Sequence, residues 1–345
     1  LDYDKKYMAR CLELGKNGIG TSRPNPSVGA VIVHHDKIIG EGFTDPYGGP
    51  HAEVNAVNSV KDESLLKEAT IYVTLEPCSH HGKTPPCADL IIRKQIPNVV
   101  IGTVDTNSLV FGEGIKRLEK AGCNVKVGVL EDECKQHHKR FFTVQNKQRP
   151  YIILKWAETN NGFIAPESKE KQEPVWISNA YAKQLVHKWR SEEHAILVGT
   201  NTVVADNPKL NVRHWTGNNP TRIVLDKSLR IPNNLSVLDR SILTIVLTEK
   251  EQDSKENITF ERIDFSKELA SQICDVLSKY KIQSVIIEGG TQTLQSFINE
   301  NLWDEARVFV GEISFTKGVK APVLKQSVTK EEKIKNNTLR YFFND

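Results

Sequence analysis

The sequence predicts two α/β domains in tandem, and three observations carry that expectation. Its 345 residues exceed the size of an average single domain. Short apolar runs alternate with helical patterns along the whole chain. Near the middle, the polar run Gln145-Asn146-Lys147-Gln148-Arg149-Pro150 ends in proline and a strand-like Tyr151 to Leu154 follows. That break places one domain over 1–146 and a second over 150–345.

In the first half, Asp4 to Lys16 has the apolar spacing of an amphipathic helix, with Cys11 on its stripe beside Tyr7, Met8 and Leu12. Val28 to Val33 and Lys37 to Phe43 read as a hairpin around His34-His35-Asp36, whose histidines are expected in an exposed turn. His51 to Val60 is helical, and β-branched Thr70 to Leu75 is a strand. Ala88 to Lys94 reads as a helix, Asn98 to Thr103 as a strand, and Gly114 to Ala121 as a helix ended by Gly122. Val125 to Val129 is strand-like, and Glu131 to Phe142 closes the half as one helix. Such alternation predicts a sheet with helices on both faces.

The second half gives strands near 151–156, 195–199, 221–225, 242–247, 283–288 and 305–311, with helices near 179–190, 266–280 and 291–300. Lys169-Glu170-Lys171-Gln172-Glu173 and Glu249 to Asn257 are charge-rich and read as solvated, functionless loops.

Composition narrows the class of function. At 39% hydrophobic and 26% charged residues the chain resembles an ordinary soluble protein. A net charge of +3 argues against a nucleic-acid or membrane partner. No run approaches the roughly 18 apolar residues of a membrane helix. Leu1 to Lys6 has no signal-peptide core, and the absent initiator Met suggests a trimmed start. The 6 cysteines are too sparse for a disulfide framework, so a reducing cytoplasm is expected. Cys11, Cys123, Cys134 and Cys274 read as structural.

The remaining two cysteines carry chemistry. His51-Ala52-Glu53 is followed by Glu76-Pro77-Cys78 and then by Cys87. One imidazole and two thiolates bind Zn²⁺ and leave the fourth tetrahedral position open for water, whose pKa the metal lowers toward about 7. Deamination then needs a carboxylate to carry protons from water to the ring nitrogen and the departing ammonia. Glu53, two residues from the ligand His51 on one helix, can do this without ligating. The pattern H-x-E with P-C-x-x-C marks nucleobase deaminases. Here the cysteines are separated by Ser79-His80-His81-Gly82-Lys83-Thr84-Pro85-Pro86 instead of two residues. Thr84 is expected to cap a helix with proline in its first turn, leaving Cys87 where a thiolate is stabilised. A purely structural site would need a fourth protein ligand, which His80 or His81 could supply.

These segments, with Pro24-Asn25-Pro26-Ser27-Val28-Gly29-Ala30-Val31, closely resemble the bifunctional riboflavin-biosynthesis deaminase/reductase family. The resemblance runs from about residue 5 to 345. It implies a cytidine-deaminase-like α/β/α sandwich followed by a dihydrofolate-reductase-like α/β domain. The first would hydrolyse the 2-amino group of 2,5-diamino-6-ribosylamino-4(3H)-pyrimidinone 5′-phosphate. The second would reduce the ribosyl group to ribityl with NADPH. By resemblance Asn25, His80 and Lys83 would surround the first substrate, near a loop containing Asp105 and Asn107. The family's Asp-Pro-Asn-Pro reads Asp105-Thr106-Asn107-Ser108 here.

Read on its own residues, Ser284 to Leu294 is a strand, a Gly289-Gly290 turn and a helix start that aims backbone N–H groups at an anion. It is no Rossmann motif, and Gly112-Glu113-Gly114 is not one either, because Arg117 stands where glycine is required. By resemblance Ala157, Trp176, Thr202, Asp206 and the segment Gly290, Thr291, Gln292, Thr293, Leu294, Gln295 and Ser296 would contact NADPH. Arg190, Leu210, Arg213 and Glu288 would contact the substrate. Lys155 could polarise the carbonyl that receives hydride, and Lys227 and Arg230 are candidates for the cofactor's 2′-phosphate. Two family positions differ: a carboxylate is replaced by Asn161 and a serine by Pro174.

The expected partners are a small phosphorylated pyrimidine and further copies of the chain in a homo-oligomer. Two rivals remain on sequence alone. A nucleic-acid deaminase would show a short C-x-x-C and a basic face. A monofunctional deaminase would use its second half only for structure or dimerisation.

Overall fold

Strand side chains alternate between the two faces of a sheet, and in the first half of the chain this separates two apolar layers. The structure, a computed structural model, describes residues 3–80, 85–106 and 112–344. Two compact units cover Leu1–Gln148 and Arg149–Asp345.

The first unit runs α1 (Tyr3–Gly15), β1 (Gly29–His34), β2 (Lys37–Phe43), α2 (Ala52–Asn58), β3 (Thr70–Leu75), α3 (Cys87–Arg93), β4 (Asn98–Thr103), α4 (Glu113–Lys120), β5 (Asn124–Val127), α5 (Glu131–His137) and α6 (Lys139–Lys147). Its sheet order is β2-β1-β3-β4-β5. β1 is antiparallel to β2 and β3, whereas β3, β4 and β5 are parallel. Ala30, Ile32, Ile71, Val73, Val99 and Ile101 pack with Ala52, Ala56, Val57 and Ile91 from α2 and α3. Val31, Val33, Tyr72 and Val100 pack with Tyr7, Met8 and Cys11 of α1 and Cys134 of α5. Both faces are covered, giving the α/β/α sandwich. β2 lies so close to α2 that a Cβ at Gly40 or Gly42 would sit 2.4 Å from the Ala56 backbone.

Local detail departs from the sequence expectations in three places. The helix expected over Glu131 to Phe142 is two helices, broken at His138 (φ −89°, ψ 9°). The second continues to Lys147 through the polar residues read as a linker, and left-handed Gln148 ends it. α3 starts at Cys87 with Pro86 at the N-cap and no side-chain cap. The prolines therefore precede the helix rather than fill its first turn, and Thr84 lies outside the described residues.

The second unit contains β6 (Tyr151–Glu158), β7 (Phe163–Pro166), α7 (Ala180–Glu192), β8 (Ala195–Gly199), α8 (Thr200–Asp206), β9 (Thr221–Leu225), β10 (Thr244–Thr248) and β11 (Ile258–Arg262). It continues with α9 (Leu269–Lys279), β12 (Ser284–Ile287), α10 (Thr291–Asn299), β13 (Glu305–Val310), β14 (Gly318–Lys320), β15 (Lys330–Ile334) and β16 (Asn337–Phe343). Nine strands form one sheet in the order β11-β10-β9-β8-β12-β6-β13-β16-β15, and β7 pairs with β14 apart from it. Strands from β11 to β13 are parallel, and β16 and β15 add antiparallel. One face packs Leu154, Leu197, Ile223 and Ile287 with α9 and α10. The other packs Ile153, Ile286 and Phe309 with Val186 and Trp189 of α7.

The segment Lys169 to Glu173 is not merely solvated. Lys169 is ion-paired with Asp206 of α8, and Gln172 Nε2 donates to the Val204 carbonyl at 2.7 Å. No described helix is long and apolar enough to cross a membrane.

Candidate active sites

β3 ends at Leu75 and delivers Cys78, α3 begins at Cys87, and His51 occupies the N-cap of α2. Three elements thus bring three donors together. His51 Nδ1 lies 3.6 Å from Cys78 Sγ and 3.4 Å from Cys87 Sγ. A tetrahedral zinc with N and S bonds near 2.0 and 2.3 Å spans about 3.5 Å between such donors, so the spacing fits. Among the described residues no fourth donor joins this cluster. His80 is exposed, and His81 and Lys83 lie outside the described residues.

The charges fit a cation as well. The Cys87 thiol, the His51 ring and the Cys87 backbone N–H, at 3.3 Å, hold the Cys78 thiol well below the usual thiol range and favour its thiolate. That neighbouring thiolate, reinforced by burial, pushes Cys87 up. One negative charge is what two buried sulfurs tolerate alone, and a divalent ion allows both. Glu53, in the first turn of α2, is 3% exposed. Burial, and next the Cys78 charge, raise its carboxyl to about 7, where a group both takes and gives protons. Asn25 is half-buried in the turn that leads to β1, its N–H donating to the Ser22 carbonyl.

The second unit has its own cleft, of about 1040 Å³, at the carboxyl ends of the parallel strands, where open α/β sheets bind ligands. Neighbouring β8 and β12 each run into a helix there. A Cβ at Gly289 would lie 2.8 Å from Thr202 Oγ1, and one at Gly199 would lie 3.0 Å from Thr293 Oγ1. Gly290 has φ +74°. These glycines let the starts of α8 and α10 converge, with free N–H groups suited to phosphate.

Lys155, Ala157, Trp176, Thr202, Asp206, Glu288 and the run Gly290 to Leu294 line this cleft; Gln295 and Ser296 are not in its wall. Helical rotation turns them away: Gln295 bonds Asn299 and Val323, and Ser296 bonds the Thr293 carbonyl. Arg190 grips Glu288 through two hydrogen bonds, at 3.2 and 2.7 Å, and Lys155 Nζ stands 4.0 Å from Glu288. Burial opposes ionisation of Glu288, but Arg190 and Lys155 hold its carboxyl down at about 2. Burial lowers Lys155. Leu210 is buried with φ +51°, and Arg213 is exposed with its backbone N–H bonded to His187 Nδ1 at 3.1 Å. Burial, then Arg190 and Arg213, press His187 to about 4. Arg230 lines the cleft, whereas Lys227 pairs with Glu249 at 3.4 Å.

Comparison with known proteins agrees with both geometries. The family profile of the cytidine and deoxycytidylate deaminase zinc-binding region matches residues 1–103. That of the RibD C-terminal domain matches residues 150–336. The riboflavin biosynthesis protein RibD of Aquifex aeolicus is 41% identical over 314 residues, covering 90% of this chain and 87% of that protein. The chain belongs to the RibD family. RibD of Escherichia coli is 36% identical over 326 residues, 89% of this chain and 87% of that one. A Thermotoga maritima crystal structure, of a diaminohydroxyphosphoribosylaminopyrimidine deaminase/5-amino-6-(5-phosphoribosylamino)uracil reductase, superposes with a TM-score of 0.91 at 36% identity. It covers 99% of each chain. RibD of Acinetobacter baumannii gives a TM-score of 0.90 at 32% identity, again over 99% of both. The second unit has the dihydrofolate-reductase-like fold of RibD reductase domains.

Asn161, where the family resemblance implies a carboxylate, has hydrogen bonds of its own. Asn161 Nδ2 donates to the Phe315 carbonyl at 2.8 Å while Oδ1 accepts from Thr159 Oγ1 at 2.7 Å. A carboxylate could make only the second bond. Pro174 sits half-buried in the cleft wall, and nothing in the structure explains proline where the resemblance implies serine. What sequence reasoning missed is that Thr202 and Asp206, named by resemblance, stand on a helix of their own, α8, and that Asp206 pairs with Lys169 at the rim of the cleft. The sequence signal for α8 is Gly199-Thr200 following an apolar strand, and the pair has none.

Proposed function

We propose that this RibD chain works in riboflavin biosynthesis as a zinc-dependent deaminase joined to an NADPH-dependent reductase. It would hydrolyse the amino group of the diaminopyrimidinone ribosylamine 5′-phosphate and then reduce ribosyl to ribityl, yielding 5-amino-6-ribitylaminouracil 5′-phosphate. The carrying observation is the cluster of His51, Cys78 and Cys87, with the buried Glu53 in the first turn of the helix that His51 caps and outside the ligand set. Zinc, when bound, supplies a Lewis-acidic position that makes water nucleophilic at neutral pH, and NADPH supplies hydride.

The chain's own residues do the rest. His51, Cys78 and Cys87 hold the metal, and Glu53 carries protons from the attacking water to the ring nitrogen and then to ammonia. Asn25, His80 and Lys83 orient the pyrimidine and its phosphate. In the second unit, the starts of α8 and α10 seat the cofactor with Ala157, Trp176 and Asp206. Lys155, made a readier proton donor by burial, hydrogen-bonds the carbonyl oxygen that becomes a hydroxyl. Glu288 orients Lys155 and Arg190, and Arg213 draws the phosphate. The match to the RibD C-terminal domain favours a working reductase over a structural appendage.

Mass analysis of products tests the whole reading. Without NADPH the product should carry a carbonyl oxygen in place of the amine, and with NADPH it should gain two hydrogens more. Unchanged starting material in both arms contradicts it. Arg213→Ala should raise the KM for reduction by about 10- to 100-fold, the loss of one charge-assisted phosphate contact, with deamination unchanged. Equal loss of both activities contradicts separate sites. NADPH should saturably quench tryptophan fluorescence, because Trp156 and Trp176 both line the cleft; absence of quenching speaks against cofactor binding there.

A further inference from the structure

Glu76 is 4% exposed, yet four backbone N–H groups donate to its carboxylate. Oε1 accepts from Gly114 at 2.9 Å and Ile115 at 3.3 Å. Oε2 accepts from Gly112 at 3.1 Å and Asp105 at 3.2 Å. Gly114 and Ile115 lie in the first turn of α4, whose N–H groups have no intrahelical partner and carry the positive end of the helix dipole. A buried carboxylate is tolerated when so bonded.

The same residue extends the sheet, its own N–H bonding the Thr103 carbonyl at 3.0 Å, and Cys78 follows two positions later. Contact between α4 and this segment is close. A Cβ at Gly114 would lie 2.1 Å from the Pro77 carbonyl oxygen and 3.1 Å from Glu76 Oε1. Gly112 takes φ +70°. Arg117 adds a second tie, donating to the Ser79 carbonyl at 2.8 Å and pairing with Asp89 of α3 at 3.2 Å. Gly112-Glu113-Gly114, no nucleotide motif, thus serves as the glycine pair that lets α4 dock beside a metal ligand.

We propose that Glu76 is a positioning residue for deamination. Its carboxylate fastens Asp105 and the start of α4 to the Glu76-Pro77-Cys78 segment, so that the turn carrying Cys78 keeps its place beside His51, Cys87 and Glu53. The inference rests on the deaminase reading above. Misplacement of reacting groups by about 1 Å can cost about 100-fold in rate, and here the loss falls on kcat because every ligand side chain is kept while the placement of Cys78 relative to Glu53 is not.

The test compares Glu76→Gln and Gly114→Ala with the wild-type full chain, zinc-loaded. In Glu76→Gln the amide turns an NH₂ toward backbone donors that previously met oxygen. In Gly114→Ala the helix start is pushed off from the other side, with the carboxylate intact. Both should keep one zinc per chain and reduce the deaminated intermediate at the wild-type rate. Both should lower the deamination kcat by about tenfold or more at an unchanged melting temperature, with a much smaller change in KM. Wild-type kcat in both variants overturns the proposal. So does loss of zinc together with a lowered melting temperature, which marks a purely structural role. A wild-type chain that releases no ammonia overturns the deaminase reading itself, and the inference with it.

Discussion

Glu53→Gln is expected to keep one zinc per chain and to lower ammonia release by about a hundred- to ten-thousandfold, the usual span for losing a general acid–base group. Glutamine has nearly the same shape and fills the same buried place at the start of α2, so the fold should not notice. It cannot hold a proton that it later gives away. Zinc stays because the metal cluster consists of His51, Cys78 and Cys87, with Glu53 outside it. Ammonia assay and metal analysis on one preparation check both halves of the prediction. Retained turnover would remove Glu53 from the mechanism, and lost zinc would make it a ligand.

Cys87→Ala is expected to have the opposite signature. It removes one of three donors and should strip the metal, taking deamination to background. Reduction of the already deaminated intermediate should proceed as in wild type, because the reductase cleft lies wholly within the second unit. The site then retains a Cys78 sulfur and a buried Glu53 without a cation to balance them. Both groups should shift toward their neutral forms, since burial disfavours uncompensated charge. Deamination by a zinc-free variant would contradict the assignment, and so would loss of both reactions in a still-folded chain.

Much of this was legible in the residues, for physical reasons that differ between the halves. The zinc site is local: His51 and Glu53 share one helix start, and Cys78 follows a strongly β-branched strand, so residue type and spacing nearly define the constellation. The first sheet is equally plain, because Ala30, Ile32, Ile71 and Val73 alternate with Val31, Val33 and Tyr72 across two packed faces. α8 escaped notice because seven residues rich in Thr and Val carry little helical signal. β15, Lys330 to Ile334, escaped because a partly exposed edge strand of Lys and Glu has no apolar alternation. β16 pairs with strands on either side of it, a long-range registration that no local window holds. Glu76 was visible as a residue but silent as a role, since its partners come from Asp105 and from the start of α4. The Lys169–Asp206 pair was hidden for the same reason, and composition alone made that stretch look solvated.

Zinc-edge X-ray absorption on the metal-loaded chain addresses the central claim most directly. Two sulfurs at about 2.3 Å, one imidazole nitrogen at about 2.0 Å and one exchangeable light atom are expected, as in an open catalytic zinc site. A shell completed by a fourth protein ligand, a third sulfur or a second imidazole, unaltered by a pyrimidine ligand, would contradict it and make the metal a structural pin.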